Sequence, residues 1–386
     1  MTDTFKQVTG KSWFARLWES IKSMVLGVLM FLAAFVVLFW NEGRAVVTAK
    51  SLAEGAKVVL SVDAGKIIPQ NENKLVHFTG MAATADVLRD PLFPVSAPAL
   101  KLQRSVEMYQ WVEDKKSETH KKLGGGEETT TTYTYNKKWS ESWNDASRFN
   151  QPAGHNNPPK AVDSNTQTAP KVTVGAFELS PGLVGQIHAS EPLPLPADAP
   201  ATLPDGYLKS GLGYYRGANP DQPQVGDLRV TFNVVKPQDV SVIAQQAGAT
   251  LRPYATAAGR NLEMLSPGNH SAQEMFQEAQ TQNAHLTWIL RLVGFLVMWF
   301  GLMLVLNPFK ILADFIPFFG SLVGAGLMLV TLVVALPLSL LTIAVAWFAF
   351  RPLLSIGLVA LAAVLVVGLG VLINKRKPKA AAPAAA

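Results

Sequence analysis

The side chains able to do chemistry are scattered. The six histidines lie at 77, 120, 155, 188, 270 and 285. No pair has the spacing that would set two imidazoles on one helix face, and there is no HExxH. Cysteine is absent, which removes disulfides, Cys-ligated zinc, iron–sulfur clusters and thiol nucleophiles together. It leaves the redox compartment open. There is no GxSxG elbow, no Walker loop and no kinase signature. "GLGYYRG" (Gly211–Gly217) has the wrong glycine spacing for a dinucleotide loop and lacks a strand before and a helix after it. It reads as a turn. "NHS" at Asn269 matches the glycosylation sequon, a pattern short enough to arise by chance. The expectation is a chain that is not an enzyme, with no catalytic residue, no cofactor and no metal.

One charged cluster stands apart. In "VLFWNEGRAVVTAKSLAEGAK" (37–57) an apolar run stops at Trp40, and Asn41, Glu42, Gly43 and Arg44 follow at once. Two readings are open. The segment is a solvated stop in which Gly43 breaks the helix, or it is a structural joint in which Glu42 and Arg44 hold the chain against the outer domain or another span.

The elements that position this cluster are apolar runs. They lie at about 24–40, 288–306, 322–350 and 353–373, and a membrane-crossing helix needs roughly 20 apolar residues. The first is longer than a signal-peptide core and ends in Phe39–Trp40 rather than in small residues, so it reads as a retained anchor. Ahead of it, "KSWFARLWES" sets Trp13, Phe14, Leu17, Trp18 and Ile21 on one face, as in a short helix lying in the interface; the alternative is a disordered tail.

The formal charge is +6, but the excess flanks the apolar runs. Between Asn41 and His285 there are 23 Lys/Arg against 25 Asp/Glu. That distribution marks membrane topology and not a nucleic-acid face. The expected fold class is therefore a membrane protein: an α-helical four-span bundle plus a large extracytoplasmic β-rich α+β domain. The expected boundaries are a cytoplasmic amphipathic segment (1–20), spans at 21–40, 286–306, 321–350 and 353–373, a periplasmic or lumenal domain (41–285) in one or two subdomains, a cytoplasmic loop (307–320) that is itself apolar and open to a re-entrant reading, and a basic cytoplasmic tail (374–386). Both termini are expected in the cytoplasm because both are basic.

Trp13, Trp18, Trp40, Trp288, Arg291 and Arg351 are expected at the membrane interface, with Arg291 snorkelling to the headgroups; a buried gating charge is the sharper alternative for Arg291. No Asp, Glu or His sits deep in a run, which argues against an ion-coupled transporter. Gly320 and Gly324 form a small-xxx-small pair for helix packing. Pro337 is expected to kink the third span.

The large outer segment reads as strand-rich. "RSVEMYQWVED" (104–114) and "ETTTTYTYNKKWS" (128–140) alternate as strands do, giving a hairpin whose polar, glycine-ended tip at 115–126 is mobile. Further strands are expected at 171–179, 228–235, 240–245 and 262–264, and the Pro-rich stretch 191–204 as an irregular loop. Ser271 followed by Glu274 is a capping-box pattern. It predicts a helix running unbroken into the second span.

The stretches "NEGRAV-TAKSLAEGA" (Val47 in the gap), "MYQWVE", "YNKKWS", "GHNNPP", "FELSPGL", "YYRGANPDQPQVGDLRVTF", "VSVIAQQ" and "FRPLL" resemble the transmembrane protein 43 family, also called LUMA. The resemblance implies four spans with a large lumenal domain after the first. In animal members it implies the endoplasmic reticulum and inner nuclear membrane and a role in organising membrane protein complexes. It supplies no catalytic or cofactor residue, but it is densest around 41–55, which favours the structural-joint reading, with Gly43 turning the chain and Glu42 and Arg44 holding it. The Ala/Pro-rich tail, the triple glycine and the absence of cysteine point to a bacterial member in the inner membrane, without the nuclear-envelope partners of animal members.

The functional expectation is a multi-pass scaffold that organises membrane complexes and supports envelope integrity. Its expected partners are membrane lipids, other membrane proteins and further copies of itself in a homo-oligomer, with no nucleic acid. The runner-up is a lipid-binding or envelope-sensing protein with an apolar pocket in the outer domain; a third reading is an unrecognised hydrolase.

Overall fold

The computed structural model describes residues 3–188 and 190–352. The fourth apolar run (353–373) and the basic tail (374–386) lie outside the described residues. Two compact units share the chain: residues 3–12 with 50–281, and residues 13–49 with 282–352.

Four helices are described: α1 (Trp13–Val58), a short α2 (Pro181–Gly185), α3 (Ala272–Ala313) and α4 (Pro317–Phe350). Of these, α1, α3 and α4 are long and apolar enough to cross a membrane. Three such helices and a β-rich unit are what the described residues contain, where four spans were expected. The boundaries also differ. α1 runs straight through the charged cluster at 41–44, where a stop was one reading. The expected loop 307–320 shrinks to 314–316, because α3 continues past Pro308 to Ala313 and α4 begins at Pro317. Hydropathy marks where an apolar stripe ends; a helix goes on as long as its polar groups find partners.

In the β-rich unit the main strands are β1 (Asp3–Lys11), β2 (Leu75–Ala83), β3 (Lys101–Lys121), β4 (Glu127–Ser140), β5 (Leu228–Val235) and β6 (Gln238–Ala247). A nine-stranded sheet carries the order β1–β4–β3–β5 and continues through 213–216, 207–210 and 202–203. A seven-stranded sheet is built around the antiparallel pair β2–β6. Along β5, Leu228, Val230, Phe232 and Val234 are buried while Arg229 and Thr231 are exposed, the period-2 pattern of a half-buried strand. Those side chains share one core with Val76 and Phe78 of β2 and Val240 and Val242 of β6. Leu52, Met275 and Phe276 from the turns of α1 and α3 that belong to this unit form a second cluster with Leu75, Ile243 and Leu262.

The hairpin is longer than expected. β3 continues to Lys121 and pairs with β4 from Met108↔Ser140 to Lys121↔Glu127. The polar stretch 115–121, expected as a mobile tip, is strand, with Ser117 and Thr119 bonded across to Thr131 and Thr129. Only 122–126 turns, closed by the Lys122 amide on the Gly126 carbonyl at 2.8 Å. Gly124 and Gly125 hold φ of 84° and 78° there, a conformation that favours glycine.

β1 corrects a further expectation. Residues 3–11 are the edge strand beside β4, in register from Asp3↔Tyr135 to Lys11↔Glu127, and helix begins only at Trp13. The alternating polar residues of "DTFKQVTGK" suit a strand whose partner lies more than a hundred residues away.

At Ser271 the reciprocal cap forms: its Oγ accepts from the Glu274 amide at 3.3 Å, and its own amide donates to the Glu274 carboxylate at 2.7 Å. α3 then runs without interruption.

Candidate functional site

The site is assembled from one face of α3 and the charged cluster of α1. Asn283, Thr287 and Arg291 are spaced i, i+4, i+8, which stacks them on one side of the helix. Arg291 donates twice to Glu42, Nε to Oε1 at 2.6 Å and Nη2 to Oε2 at 2.9 Å. The indole Nε1 of Trp347, on α4, donates to the same Oε2 at 2.9 Å. The Glu42 side chain is 0% exposed and that of Arg291 13%. The guanidinium lies over the ring of Trp288 at 4.6 Å and 5.8 Å from that of Trp347, an attraction of cation for π face. One carboxylate thus ties three helices together.

Arg44 faces α3 as well. Its Nη1 donates to Asn283 Oδ1 and its Nη2 to Thr287 Oγ1, both at 2.9 Å, and it also reaches Asn41. Asn41 donates to the Thr287 carbonyl, and Asn283 to the Ala45 carbonyl. Glu42 and Arg44 therefore do not pair with each other; each reaches a neighbouring helix. Gly43 neither breaks nor turns the helix. A Cβ there would lie 2.7 Å from the ring of Phe350, so glycine admits the end of α4.

A second buried ion pair lies further down the same bundle. Arg16 Nη2 meets Asp314 Oδ2 at 2.6 Å, with side chains 6% and 0% exposed, and Trp13 Nε1 donates to the Ile311 carbonyl at 2.8 Å. Between the two pairs, Gly27 and Gly301 bring α1 and α3 into backbone contact: a Cβ on Gly27 would lie 2.7 Å from the Gly301 carbonyl oxygen.

The remaining sequence-selected residues separate. Trp18, Trp40 and Trp288 are exposed, while Trp13 is half-buried. Arg291 is drawn into the bundle instead of reaching outward. Arg351 caps α4 through its amide on the Trp347 carbonyl. Gly320 abuts Asp314 and Gly324 the stem of Lys310. Sequence reasoning passed over Arg16, Asp314, Trp347 and the Gly27–Gly301 contact. The Asn283–Thr287–Arg291 stripe, three polar residues at helical spacing entering an apolar run, was a signal that could have found the partners of Glu42 and Arg44.

The cluster holds no nucleophile set against a base, and a guanidinium stays protonated. It is equipped to hold helices. A bidentate, further hydrogen-bonded pair is the geometry in which a buried ion pair offsets its desolvation. Elsewhere, His155 is stacked on Tyr135 at 3.9 Å and lies 3.3 Å from Asp3. Burial and the hydrogen bond to Glu113 push the Tyr135 phenol up to about 12. His77 is buried, with Nε2 on the His270 carbonyl, and burial lowers its pKa. Among the described residues no group of His, Asp or Glu is placed to hold a metal.

The family model described as transmembrane protein 43 matches residues 108–352. Transmembrane protein 43 of Rattus norvegicus is 40% identical over 353 residues, covering 88% of this chain and 87% of that protein. The Homo sapiens protein is 38% identical over 364 residues, 90% of each. The Drosophila melanogaster homolog is 31% identical over 354 residues, 88% of this chain and 93% of that one. No solved structure matches. The chain belongs to the transmembrane protein 43 family.

Proposed function

We propose that the protein is a non-enzymatic membrane protein that organises membrane protein complexes, using its helical bundle as the contact surface. The observation that carries this reading is the pair of buried clamps. Arg16 and Glu42 stand 26 residues apart on α1, about 39 Å of helix, close to the roughly 40–45 Å of a bilayer with its headgroup regions. From Val25 to Trp40, between the clamps, the outward side chains of α1 are apolar: Leu29, Leu32 and Val36 are 55–68% exposed, as is Val333 of α4 at 68%. A bundle locked from inside and apolar outside suits lipid, a second copy or another membrane helix. We place the chain in a bacterial inner membrane, on its cysteine-free composition and Ala/Pro tail, with residues 50–281 periplasmic, opposite the basic tail.

The test is photo-crosslinking from Val36 and Val333 in native membranes. Crosslinks to a second copy or to other membrane proteins, lost when Glu42→Ala loosens the bundle, are the expected result. Crosslinks to lipid alone would overturn the organising role. Reporters at Gly125 and Ala386 should lie on opposite sides; the same side sinks this orientation.

A further inference from the structure

Lys101 opens β3, where the sheet sets it against Thr168 and Val235. It is only 9% exposed. Its Nζ donates to the carbonyls of Ile187 at 2.7 Å and Gly185 at 3.3 Å. An ammonium has three donors, so one is left over. Among the described residues no carboxylate pairs with it, and burial alone pushes its pKa below the ordinary lysine range. A buried cation without a counter-charge is costly.

This lysine lines a cavity of about 420 Å³ in the β-rich unit, within the ~300–1,000 Å³ of small-molecule sites. Its walls include Val172, Leu179 and Val184, each at most 5% exposed. Thr168 lies at the rim. The one carboxylate on the lining, Glu178, is 40% exposed and 3.7 Å from the ammonium of Lys171, so its charge already has a partner.

We propose that this cavity binds an apolar monocarboxylate, its carboxylate on the remaining N–H of Lys101 and its hydrocarbon against Val172, Leu179 and Val184. One donor with one positive charge matches a monoanion; a phosphate dianion would ask for more donors than remain. A neutral apolar molecule would fill the walls and leave the cation uncompensated. The site is built from residues of the β-rich unit alone and does not depend on the organising role proposed for the bundle.

The experiment uses the full chain in lipid nanodiscs, with empty nanodiscs subtracted, and carboxyl-¹³C octanoate as the probe, read by carbon NMR. Octanoate should show one saturable site per chain and should bind tighter than octanol. Lys101→Met should weaken octanoate about tenfold or more, the scale of one charged hydrogen bond, and leave octanol unchanged. Lys101→Arg should retain octanoate. Thr168→Trp, a change at the exposed rim that keeps the lysine, should weaken both probes by occupying the mouth, and it keeps the test standing if Lys101→Met does not fold. The proposal is overturned if the parent has no saturable site, if octanol matches octanoate, if Lys101→Met binds octanoate like the parent, or if Thr168→Trp leaves both probes unaffected.

Discussion

Glu42 and Arg291 lie 249 positions apart in the chain and meet side-on through two hydrogen bonds of 2.6 and 2.9 Å, with the indole of Trp347 completing the carboxylate's partners. The pair is withdrawn from solvent on the carboxylate side. Its strength is conditional. Geometry this complete offsets desolvation, whereas either charge alone is stranded.

Glu42→Ala or Arg291→Ala should therefore each cost about 3–5 kcal/mol of bundle stability, since each leaves the other charge buried and uncompensated. Replacing both by apolar residues of similar size, Glu42→Leu with Arg291→Met, should cost much less than the sum. Thermal unfolding in detergent of the parent, the two single variants and the double variant checks this. Additive losses, or singles that melt like the parent, would show that the pair holds nothing.

The cap at Ser271 is a local, more modest device. Ser271→Ala should destabilise the β-rich unit by about 0.5–2 kcal/mol. The hydrogen bonds from Ser271 hold the Glu274 carboxyl below its ordinary pKa. A group lowered on folding stabilises fully above its unfolded value, ~4.3 for glutamate, and loses that contribution as pH falls through the lowered folded value. Denaturant titrations of the parent and Glu274→Gln should thus converge as the pH drops through that window. A gap that stays constant with pH would remove the carboxylate from the cap.

The helices were legible because a long apolar run has few alternatives. β5 and the proximal hairpin were legible because alternation reports a half-buried strand. The end of α1 was not. At Asn41–Arg44 hydropathy falls, and a chain leaving the membrane looks the same whether its helix stops or continues. What decides is Arg291, Asn283 and Thr287, which no local window contains. β1 was missed for the same reason: the ladder that makes its polar residues a strand belongs to residues 127–135. The charged cluster at Asn41–Arg44 stood out in the sequence, but the partners of its side chains did not, since pairing across 249 positions leaves no mark beside Glu42.

Gly27 and Gly301 carry the closest approach of α1 and α3. A Cβ on Gly27 would meet the Gly301 carbonyl at 2.7 Å and the Val305 amide at 2.9 Å, and one on Gly301 the Phe31 amide at 2.8 Å. These are backbone atoms and cannot swing aside. Gly→Ala in a helix would otherwise gain up to about 1 kcal/mol, but overpacking costs about 1–3. Gly27→Ala should come out destabilising, and Gly27→Leu more so. Gly326→Ala, in α4 with open space around it, should be neutral or stabilising. A stabilising Gly27→Ala would mean the helices are not in backbone contact.

The last prediction tests the ladder between β1 and β4. Val8 faces Thr130 across it, and directly opposed antiparallel residues have Cα atoms about 4.5–5.5 Å apart, within the range a disulfide bridges. The chain has no cysteine, so Val8→Cys with Thr130→Cys supplies the only two thiols present. Mild oxidation of intact membranes should join them within one chain, seen as a reduction-sensitive mobility shift after cleavage between the two positions. Val8→Cys with Thr134→Cys, four residues out of register and so about 13 Å further along the strand, should not join. Were residues 3–11 across the membrane from the hairpin, the first pair could never meet, and labelling from either face would reach one thiol but not the other. Absence of the in-register disulfide together with opposite-side labelling would dismiss the ladder and restore the N-terminus to the far side. Its formation, with both single thiols labelled from the same side, puts residues 3–11 and 127–135 in one compartment and overturns α1 as a bilayer crossing between them.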